Sequence, residues 1–459
     1  MTISARALTS RTFGSLATRN FRLFFAGQLV SVTGTWLQST AQAWLILELT
    51  HSPLMLGLLV TVQFLPNLLL QPLGGVVADR LSKREVLIAT QSCFAAVAAV
   101  LGIATGLGAA RTWEVFVVVA FFGLINVVDG PTRQAFVTEM VGPQRLPNAV
   151  ALNSMVFNAA RVVGPAVAGI LIATVGTALC FDLNAVSYVA VILGLMLMRP
   201  QELHRSTLGQ VPHPGAWAQL GEGLAYVRRT PQVALVIVLM ALVGTFSYNL
   251  TIMITTLARS GLHAGASGFG LLSAALGLGA VLGAVGVAYL SRPSFRALLL
   301  GCAVFGLFLL LAGQSPSLAP ALLLLIGAGA GMIVYSATSN SVIQIYTPAR
   351  LRGRVMALYL WVFLGVTPIG SLLFGFIEQA WGSRLSMAVA GLAALLSCAG
   401  AVLWWYQHPG SLHRPETLGD PIGGEDGAVG ASERRASSLP AEPATRGPRT
   451  GSSQIREVP

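Results

Sequence analysis

Asp129 and Arg161 are ionisable residues that lie deep inside long apolar stretches of the sequence. Charge is costly in a hydrocarbon environment, so charged side chains that persist there usually pair or carry a function. Their runs, 113–139 and 147–175, are consecutive, and antiparallel helices would bring both residues to similar depth. We therefore predict an Asp129–Arg161 ion pair, which either holds two helices together or takes part in proton or substrate coupling. Arg133, one turn away, is a competing partner for Asp129.

Polar side chains also recur at helical spacing within apolar runs. In the first run they are Gln28, Ser31, Thr35, Gln38 and Gln42, three or four residues apart and therefore on one helix face. Within lipid, such a face is expected to contact a cavity or a neighbouring helix rather than acyl chains. Both interpretations remain open: a substrate cavity, or hydrogen bonds between helices.

The composition is that of a membrane protein. Of 459 residues, 54% are hydrophobic and 10% charged, whereas soluble domains carry about 25% charged residues. The net charge of +11 comes from residues at the ends of apolar runs, not from a basic surface interleaved with aromatic residues, so nucleic acid is not an expected partner. The four Cys and six His show no metal-ligand spacing, and we expect no metal.

The apolar runs predict the fold class. A hydrocarbon core about 30 Å thick needs about 20 apolar helical residues. The first run is too long for a cleavable signal peptide, so we expect it to be the first span. The prediction is an all-α membrane protein with twelve transmembrane helices in two six-helix bundles. The predicted spans are 21–47, 53–78, 85–107, 113–139, 147–175, 180–198, 231–258, 266–290, 295–313, 319–345, 353–378 and 384–406.

Positive charge predicts the orientation. Of the 28 Lys and Arg residues, 24 fall on one side of the predicted spans and three on the other. Positively charged loops stay cytoplasmic, so we expect both termini in the cytoplasm and the chain in a bacterial inner membrane. The predicted units are an N-terminal bundle (1–198), a cytoplasmic linker (199–230), a C-terminal bundle (231–407) and a disordered tail (408–459).

An internal repeat supports two related halves. The segment Gly164–Gly176 aligns with Gly370–Gly382, and all three glycines match at a shift of 206 residues. Such duplication is common in secondary transporters.

The segment after the second span carries the sharpest motif. It resembles the major facilitator signature, in which this loop is a conformational latch, with Ser82 where the family usually has Gly. A second resemblance, to the bacterial branch that includes the enterobactin exporter, rests on Asn20-Phe21-Arg22 and on the stretch from Asn126 to Pro165. The residues that the resemblance places in the latch are Gly75, Asp79, Arg80, Lys83, Arg84 and Glu139.

The resemblance implies further sites. In this family the first, fourth, seventh and tenth helices line a central cavity, and a Gly-Pro motif in the fifth helix, here Gly164, Pro165 and Gly169, is typical of antiporters. Aromatic residues in the cavity would suit an apolar or cyclic ligand. The predicted cavity residues are Gln28, Thr35, Trp36, Gln38, Gln42, Asn126, Asn158, Tyr248, Asn249, Tyr335 and Ser339.

These features predict secondary active transport rather than enzymatic activity. No phosphate-binding loop is present, so we do not expect ATP hydrolysis and we expect no cofactor. The resemblance implies H⁺ as the coupling ion, with Asp129 as the titrating group. The leading hypothesis is efflux of a small amphipathic molecule, siderophore or drug-like, by a monomer that works by alternating access. The alternatives are a transporter of lysophospholipid or another lipid and, from a different class, a non-transporting membrane sensor.

Overall fold

The computed structural model describes residues 14–204, 216–289 and 294–408, and all side chains in these ranges except those of residues 72, 73, 76–80, 216–220, 289 and 349. The described part is helical and contains no β-strand. Short 3₁₀ turns lie at Gly14–Ala17 and Pro200–Glu202 and a π turn at Leu257–Gly261. The α-helices are α1 (Arg19–Thr50), α2 (Pro53–Arg80), α3 (Lys83–Gly106), α4 (Thr112–Thr174), α5 (Ala178–Met196), α6 (Ala216–Arg229), α7 (Pro231–Ser247), α8 (Leu250–Thr256), α9 (Gly265–Tyr289), α10 (Phe295–Gly313), α11 (Leu318–Tyr346) and α12 (Ala349–Gln407).

Two of these helices are bent at a glycine and therefore contain two spans each. Gly142 in α4 has φ 71° and ψ 171°, and Gly382 in α12 has φ 82° and ψ 171°. We call the parts before and after each bend the first and second arms. The sequence predicted separate spans joined by short loops here, but a single residue with positive φ, which glycine adopts at little cost, reverses the chain.

The surface of the molecule is suited to lipid. Nine helical stretches of the described residues are long and apolar enough to cross a membrane. α1, which carries the polar stripe, is not among them. Val186, Leu300 and Leu396 are 67%, 66% and 70% exposed, and large exposed apolar areas of this kind mark contact with a membrane or a partner.

The helices form a first half, α1–α5, and a second half, α7–α12. α1 packs on α4 and α5, and α10 packs on α11 and α12; between the halves, α2 packs on α12 and α4 packs on α9. The predicted linker contains a helix that the sequence did not suggest, α6, where Tyr226 Oη donates to the Tyr346 carbonyl at 2.5 Å and Glu222 pairs with Arg354. Linker residues 205–215 and the tail beyond residue 408 lie outside the described residues.

The internal repeat has a structural counterpart. Gly176 and Gly382, 206 residues apart, both have positive φ, 92° and 82°. A Cβ added at Gly164 would lie 2.5 Å from Trp36 Cβ in α1, and one added at Gly370 would lie 2.5 Å from Asn249 Nδ2, just beyond α7. Corresponding glycines therefore pack against corresponding elements of the two halves.

Candidate substrate cavity and charged residues

A cavity of about 370 Å³ lies between the two halves. α1, α2 and the second arm of α4 form one wall. Tyr248 and Asn249, which follow α7, form the other wall together with α8, α9 and the first arm of α12. Six of its lining residues are aromatic and most others are apolar or carry a hydroxyl group. The lining residues are Trp36, Ser39, Thr40, Val60, Phe64, Phe157, Arg161, Pro165, Tyr248, Asn249, Leu250, Thr251, Ile252, Ile254, Phe269, Ser273, Leu276, Phe363, Leu364, Thr367 and Ser371.

The seventh predicted span is interrupted where it meets this cavity. α7 ends at Ser247 and α8 begins at Leu250, so Tyr248 and Asn249 have non-helical backbone. Ser371 Oγ donates to Asn249 Oδ1 at 3.0 Å, which fixes the interruption to α12. Irregular backbone at membrane depth is tolerated where it lines a cavity or is buried in protein, and this break meets that condition.

Arg161 is the one charged residue among the described residues that line the cavity. Its guanidinium carbon lies 5.8 Å from the centre of the Trp36 ring, and Nη2 lies 3.5 Å from Met332 Sδ. A sulfur atom is a weak acceptor. The guanidinium therefore lies between the halves with most of its five donors unused by the described residues.

Asp129 does not pair with Arg161, contrary to the sequence prediction. Its Oδ1 accepts hydrogen bonds from Thr90 Oγ1 at 2.7 Å and Gln91 Nε2 at 2.8 Å. Its Oδ2 accepts from Arg133 Nη2 at 2.6 Å and Nε at 3.0 Å. The two residues do not meet because their side chains point in different directions: that of Asp129 faces α3, whereas that of Arg161 faces the cavity.

The polar stripe of α1 faces α5 rather than the cavity. Asn184 Nδ2 donates to Gln38 Oε1 at 2.7 Å, and the Thr35 and Tyr188 hydroxyl oxygens are 3.3 Å apart. Gln28 and Gln42 are buried, and neither Nε2 has a partner in the described structure. None of these four stripe residues lines the cavity. Thr35 and Gln38 contact α5 as the interpretation of interhelical hydrogen bonding expects, whereas Gln28 and Gln42 are buried without such a bond from Nε2.

Three of the predicted cavity residues, Trp36, Tyr248 and Asn249, line the cavity. The others do not. Asn126 is exposed, and Asn158 Nδ2 donates to the Ser154 carbonyl of its own helix at 2.8 Å. Tyr335 and Ser339 are 0% exposed, within α11 and away from the cavity lining.

The latch residues that the structure describes lie together at one end. Lys83 Nζ is 2.7 Å from Glu139 Oε1, joining the start of α3 to the first arm of α4. Arg84 Nε donates to the Leu195 carbonyl near the end of α5 at 2.8 Å. The side chains of Asp79 and Arg80 lie outside the described residues.

The two halves touch closely at the end where α1 finishes, which we call the Thr50 face. A Cβ added at Gly57 in α2 would lie 3.0 Å from Gly375 Cα in α12. The related pair joins α4 and α9, where a Cβ at Gly169 would lie 2.6 Å from Gly270 Cα. In addition, Trp44 of α1 stacks on Phe269 of α9 with ring centroids 6.1 Å apart. The predicted Gly164-Pro165-Gly169 motif therefore contributes packing contacts to α1 and to the second half.

At the opposite end, the Arg80 face, three described glycines of these helices make no such contacts. Gly75 in α2, Gly286 in α9 and Gly353 in α12 lie near that face, and a Cβ added at any of them would meet nothing within 4 Å. The close glycine contacts between the halves therefore lie at the Thr50 face, and the three glycines near the Arg80 face make none.

Sequence reasoning missed several functional candidates on α12. Thr367 and Ser371 line the cavity, and their spacing of four residues is the signal that would have found them. Glu378 follows on the same arm. Although Glu378 stands at the end of the predicted span 353–378, its side chain is 4% exposed. Neither of its carboxyl oxygens has a hydrogen-bond partner in the described structure.

Residues 10–409 match the family described as transmembrane secretion effector. The chain belongs to this family. Transmembrane secretion effectors are transporters of the major facilitator type and not enzymes, which confirms the predicted family. The fold agrees: a bacterial homologue of the human lysosomal transporter Spinster, solved in an inward-facing, unoccupied conformation, superposes with a TM-score of 0.68 at 16% identity, covering 84% of this chain and 96% of that one.

Characterised relatives of this transmembrane secretion effector include siderophore and multidrug transporters. The staphyloferrin A transporter of Staphylococcus aureus is 29% identical over 178 residues, which are 38% of this chain and 45% of that protein, so this match spans just under half of the relative. The multidrug efflux pump Tap of Mycolicibacterium fortuitum is 26% identical over 387 residues, covering 82% of this chain and 93% of Tap. The enterobactin exporter EntS of Salmonella choleraesuis is 24% identical over 380 residues, covering 82% and 90%.

Proposed function

We propose that this protein is a proton-driven exporter of small amphipathic molecules, siderophore or drug-like, which works by alternating access. The single observation that carries the proposal is the cavity between the halves, with matched glycine contacts between the halves at the Thr50 face and none at the three described glycines near the Arg80 face. A site between two related halves, accessible from one side at a time, is what alternating access requires.

The proposed topology has twelve crossings in a bacterial inner membrane, six in each half. α1, α2, α3, α5, α9, α10 and α11 each cross once, α7 and α8 cross together, and α4 and α12 cross twice. The positive-inside rule then puts the Arg80 face, both termini and α6 in the cytoplasm. In this orientation the described conformation is inward-facing and takes up substrate from the cytoplasm, as an exporter must.

The substrate class follows from the cavity lining. Six aromatic side chains and few polar groups favour a compound with a large apolar or cyclic surface. The names of the relatives, which include two siderophore transporters and a multidrug efflux pump, point in the same direction. A monomer contains both walls of the cavity, so the proposed transport unit is one chain.

Proton coupling requires a carboxyl group whose protonation differs between states, and among the described residues Asp129 and Glu378 are the buried carboxyl groups. Asp129 has four hydrogen bonds, including two from Arg133. Glu378 has none, although the hydroxyl groups of Thr256 and Ser386 lie next to it. An unpaired buried carboxylate is unstable, so Glu378 is the more suitable proton carrier, and Asp129 with Arg133 forms a structural or switching pair.

The latch has a proposed role in the same cycle. Lys83 and Glu139 join two helices of the first half at the Arg80 face, while Gly75 at the end of α2 is free of close neighbours. We propose that this region contacts the second half when the Arg80 face closes.

Transport in inverted membrane vesicles tests the proposed function. Vesicles from cells that express the protein should accumulate a fluorescent amphipathic compound when respiration generates a proton gradient, and an uncoupler should abolish the accumulation. Vesicles that carry a Gly169→Leu variant, unable to close the Thr50 face, are the matched control. Accumulation that persists with the uncoupler would refute proton coupling, and no accumulation of any siderophore-like or drug-like compound would refute export.

A further inference from the structure

We propose that Arg161 is an oxyanion receptor and that the substrate carries a carboxylate or a related acidic group on an aromatic or cyclic body. This inference rests on the proposed function and names the substrate class. It arises because the cavity contains a cation but no anion: among the described lining residues Arg161 is charged and none is acidic.

The position of Arg161 makes an unpaired charge costly. It lies 13 residues before the end of α4 at Thr174, roughly 20 Å along the helix from the Thr50 face. Placing an arginine at the centre of a membrane helix costs about 2.5–3.5 kcal/mol on insertion scales. The ion pair that would have offset this cost is absent, since Asp129 binds Arg133 instead.

The contacts that Arg161 does make leave its donors available. The guanidinium carbon lies over the Trp36 ring, 5.8 Å from its centroid and near the upper limit for a cation–π contact, which uses no N–H donor as a hydrogen bond. Met332 Sδ engages Nη2 alone. A planar guanidinium has five N–H donors in a fork that matches the two oxygens of a carboxylate, and the remaining donors have no acceptor in the described structure.

A second unpaired arginine provides a contrast. Arg259 in the π turn also lies 5.8 Å from a tryptophan ring, that of Trp44, and its Nη1 is buried without a partner. Arg259 does not line the cavity and lies at the closed Thr50 face. Arg161 is half-buried and borders the cavity, so a ligand can reach it.

The neighbours of Arg161 define the rest of the ligand. Trp36, Phe157 and Tyr248 line the cavity with it, and Trp36 packs edge-on against Phe157 at 5.6 Å. These rings would enclose a flat apolar group while the guanidinium binds the acid. The cavity of about 370 Å³ lies in the lower range of small-molecule sites, which favours a compact acid over a lipid with long acyl chains.

A matched pair of ligands tests this inference by isothermal titration calorimetry on the purified full-length protein. 2-Naphthoate and 2-naphthamide have the same ring and nearly the same shape, but only the first is an anion. We expect the wild type to bind 2-naphthoate about 10- to 100-fold more tightly, as a charge-assisted hydrogen bond predicts. Arg161→Gln should remove this preference, Arg161→Lys should retain part of it, and Arg384→Gln, at an exposed arginine outside the cavity, should leave it unchanged.

Equal binding of the two ligands by the wild type, or no binding of 2-naphthoate, would overturn the inference even if Arg161→Gln failed to fold. If a short-chain lysophosphatidate competes with 2-naphthoate for binding, the oxyanion of the substrate belongs to a lipid headgroup. If it does not compete, the oxyanion belongs to a small free acid. Transport separates this inference from the proposed function. If the protein transports a cationic compound, and Arg161→Gln leaves that transport unchanged, the anion receptor alone is refuted. If ligands bind through Arg161 but no compound is transported, export alone is refuted.

Discussion

The intramembrane charges of this protein have different environments, and their environments determine what each can do. Asp129 is fully hydrogen-bonded, so its charge is stabilised by α3 and by its own helix. Glu378 is buried without a partner. Two arginines, Arg259 on the π turn and Arg384 after the bend in α12, belong to elements around Glu378, and neither forms an ion pair with it in the described structure.

Substitution of these two carboxyl groups should therefore have different effects. Glu378→Gln should abolish transport driven by an imposed pH gradient but preserve exchange of substrate across the membrane without a gradient. Asp129→Asn should mainly destabilise the protein, by about 1.5–3 kcal/mol, because two charge-assisted bonds from Arg133 are weakened. Vesicle transport and thermal unfolding in detergent measure the two effects. Gradient-driven transport by Glu378→Gln at the wild-type rate would show that Glu378 does not carry the proton.

At the scale of elements, one helix can use one face to pack against its neighbour and the adjacent face to line the cavity. α1 uses Thr35 and Gln38 to bind α5, whereas Trp36, Ser39 and Thr40 on the adjacent face border the cavity. The polar stripe is thus a device for specific helix association, in a solvent where apolar surface alone does not distinguish one helix from another.

Substitution at the α1–α5 contact should alter stability and not substrate recognition. Gln38→Leu and Asn184→Leu should each lower the unfolding temperature, and their double-mutant cycle should give a coupling energy of about 0.6 kcal/mol. The substrate concentration for half-maximal transport should stay unchanged in both. Asn158→Leu, which removes a hydrogen bond within one helix, is the matched control. A loss of substrate affinity in Gln38→Leu would place this glutamine in the cavity after all.

At the scale of the whole molecule, closure at the Thr50 face depends on the absence of side chains at related positions. Gly57 meets Gly375, and Gly169 meets Gly270, and in the repeat Gly169 corresponds to Gly375. Hydrogen bonds between the halves continue along α2 and α12, where Trp361 Nε1 donates to the Leu68 carbonyl at 3.2 Å and Thr61 Oγ1 to the Pro368 carbonyl at 3.0 Å. The closed face is thus a backbone-to-backbone seam.

A methyl group in this seam should shift the protein toward the conformation that is open at the Thr50 face. Gly169→Ala would place a Cβ 2.6 Å from Gly270 Cα. Overpacking of this kind costs about 1–3 kcal/mol, so the population of the alternative state should rise by about tenfold or more. Labelling of Ser273→Cys by a membrane-impermeant maleimide added outside intact cells, with the native cysteines replaced, measures this population.

Gly400→Ala is the control for this shift, because a Cβ at Gly400 meets nothing within 4 Å. It should leave the labelling rate of Ser273→Cys unchanged. Unchanged labelling in Gly169→Ala as well would mean that the contact between α4 and α9 does not limit opening.

The sequence by itself determined the features that depend on composition and on one helix at a time. Apolar length indicated an all-α membrane protein, the motif around Lys83 indicated the family, and the repeat of Gly164–Gly176 indicated which glycines would be equivalent. Of the eleven cavity residues that the family resemblance predicted, Trp36, Tyr248 and Asn249 line the cavity.

The tertiary structure alone decided the partners. Asp129 and Arg161 have similar depth in the sequence, but helix rotation turns one toward Thr90 and Gln91 and the other toward the cavity. Periodicity defines a polar face without saying which neighbour it meets, so the sequence left open whether the α1 stripe faces a cavity or another helix, and the structure turns Thr35 and Gln38 toward α5. Glu378 likewise lies at the end of a span in the sequence, and only the packing of neighbouring elements around it buries its side chain. Orientation between helices is a property of many contacts at once, and no single segment encodes it.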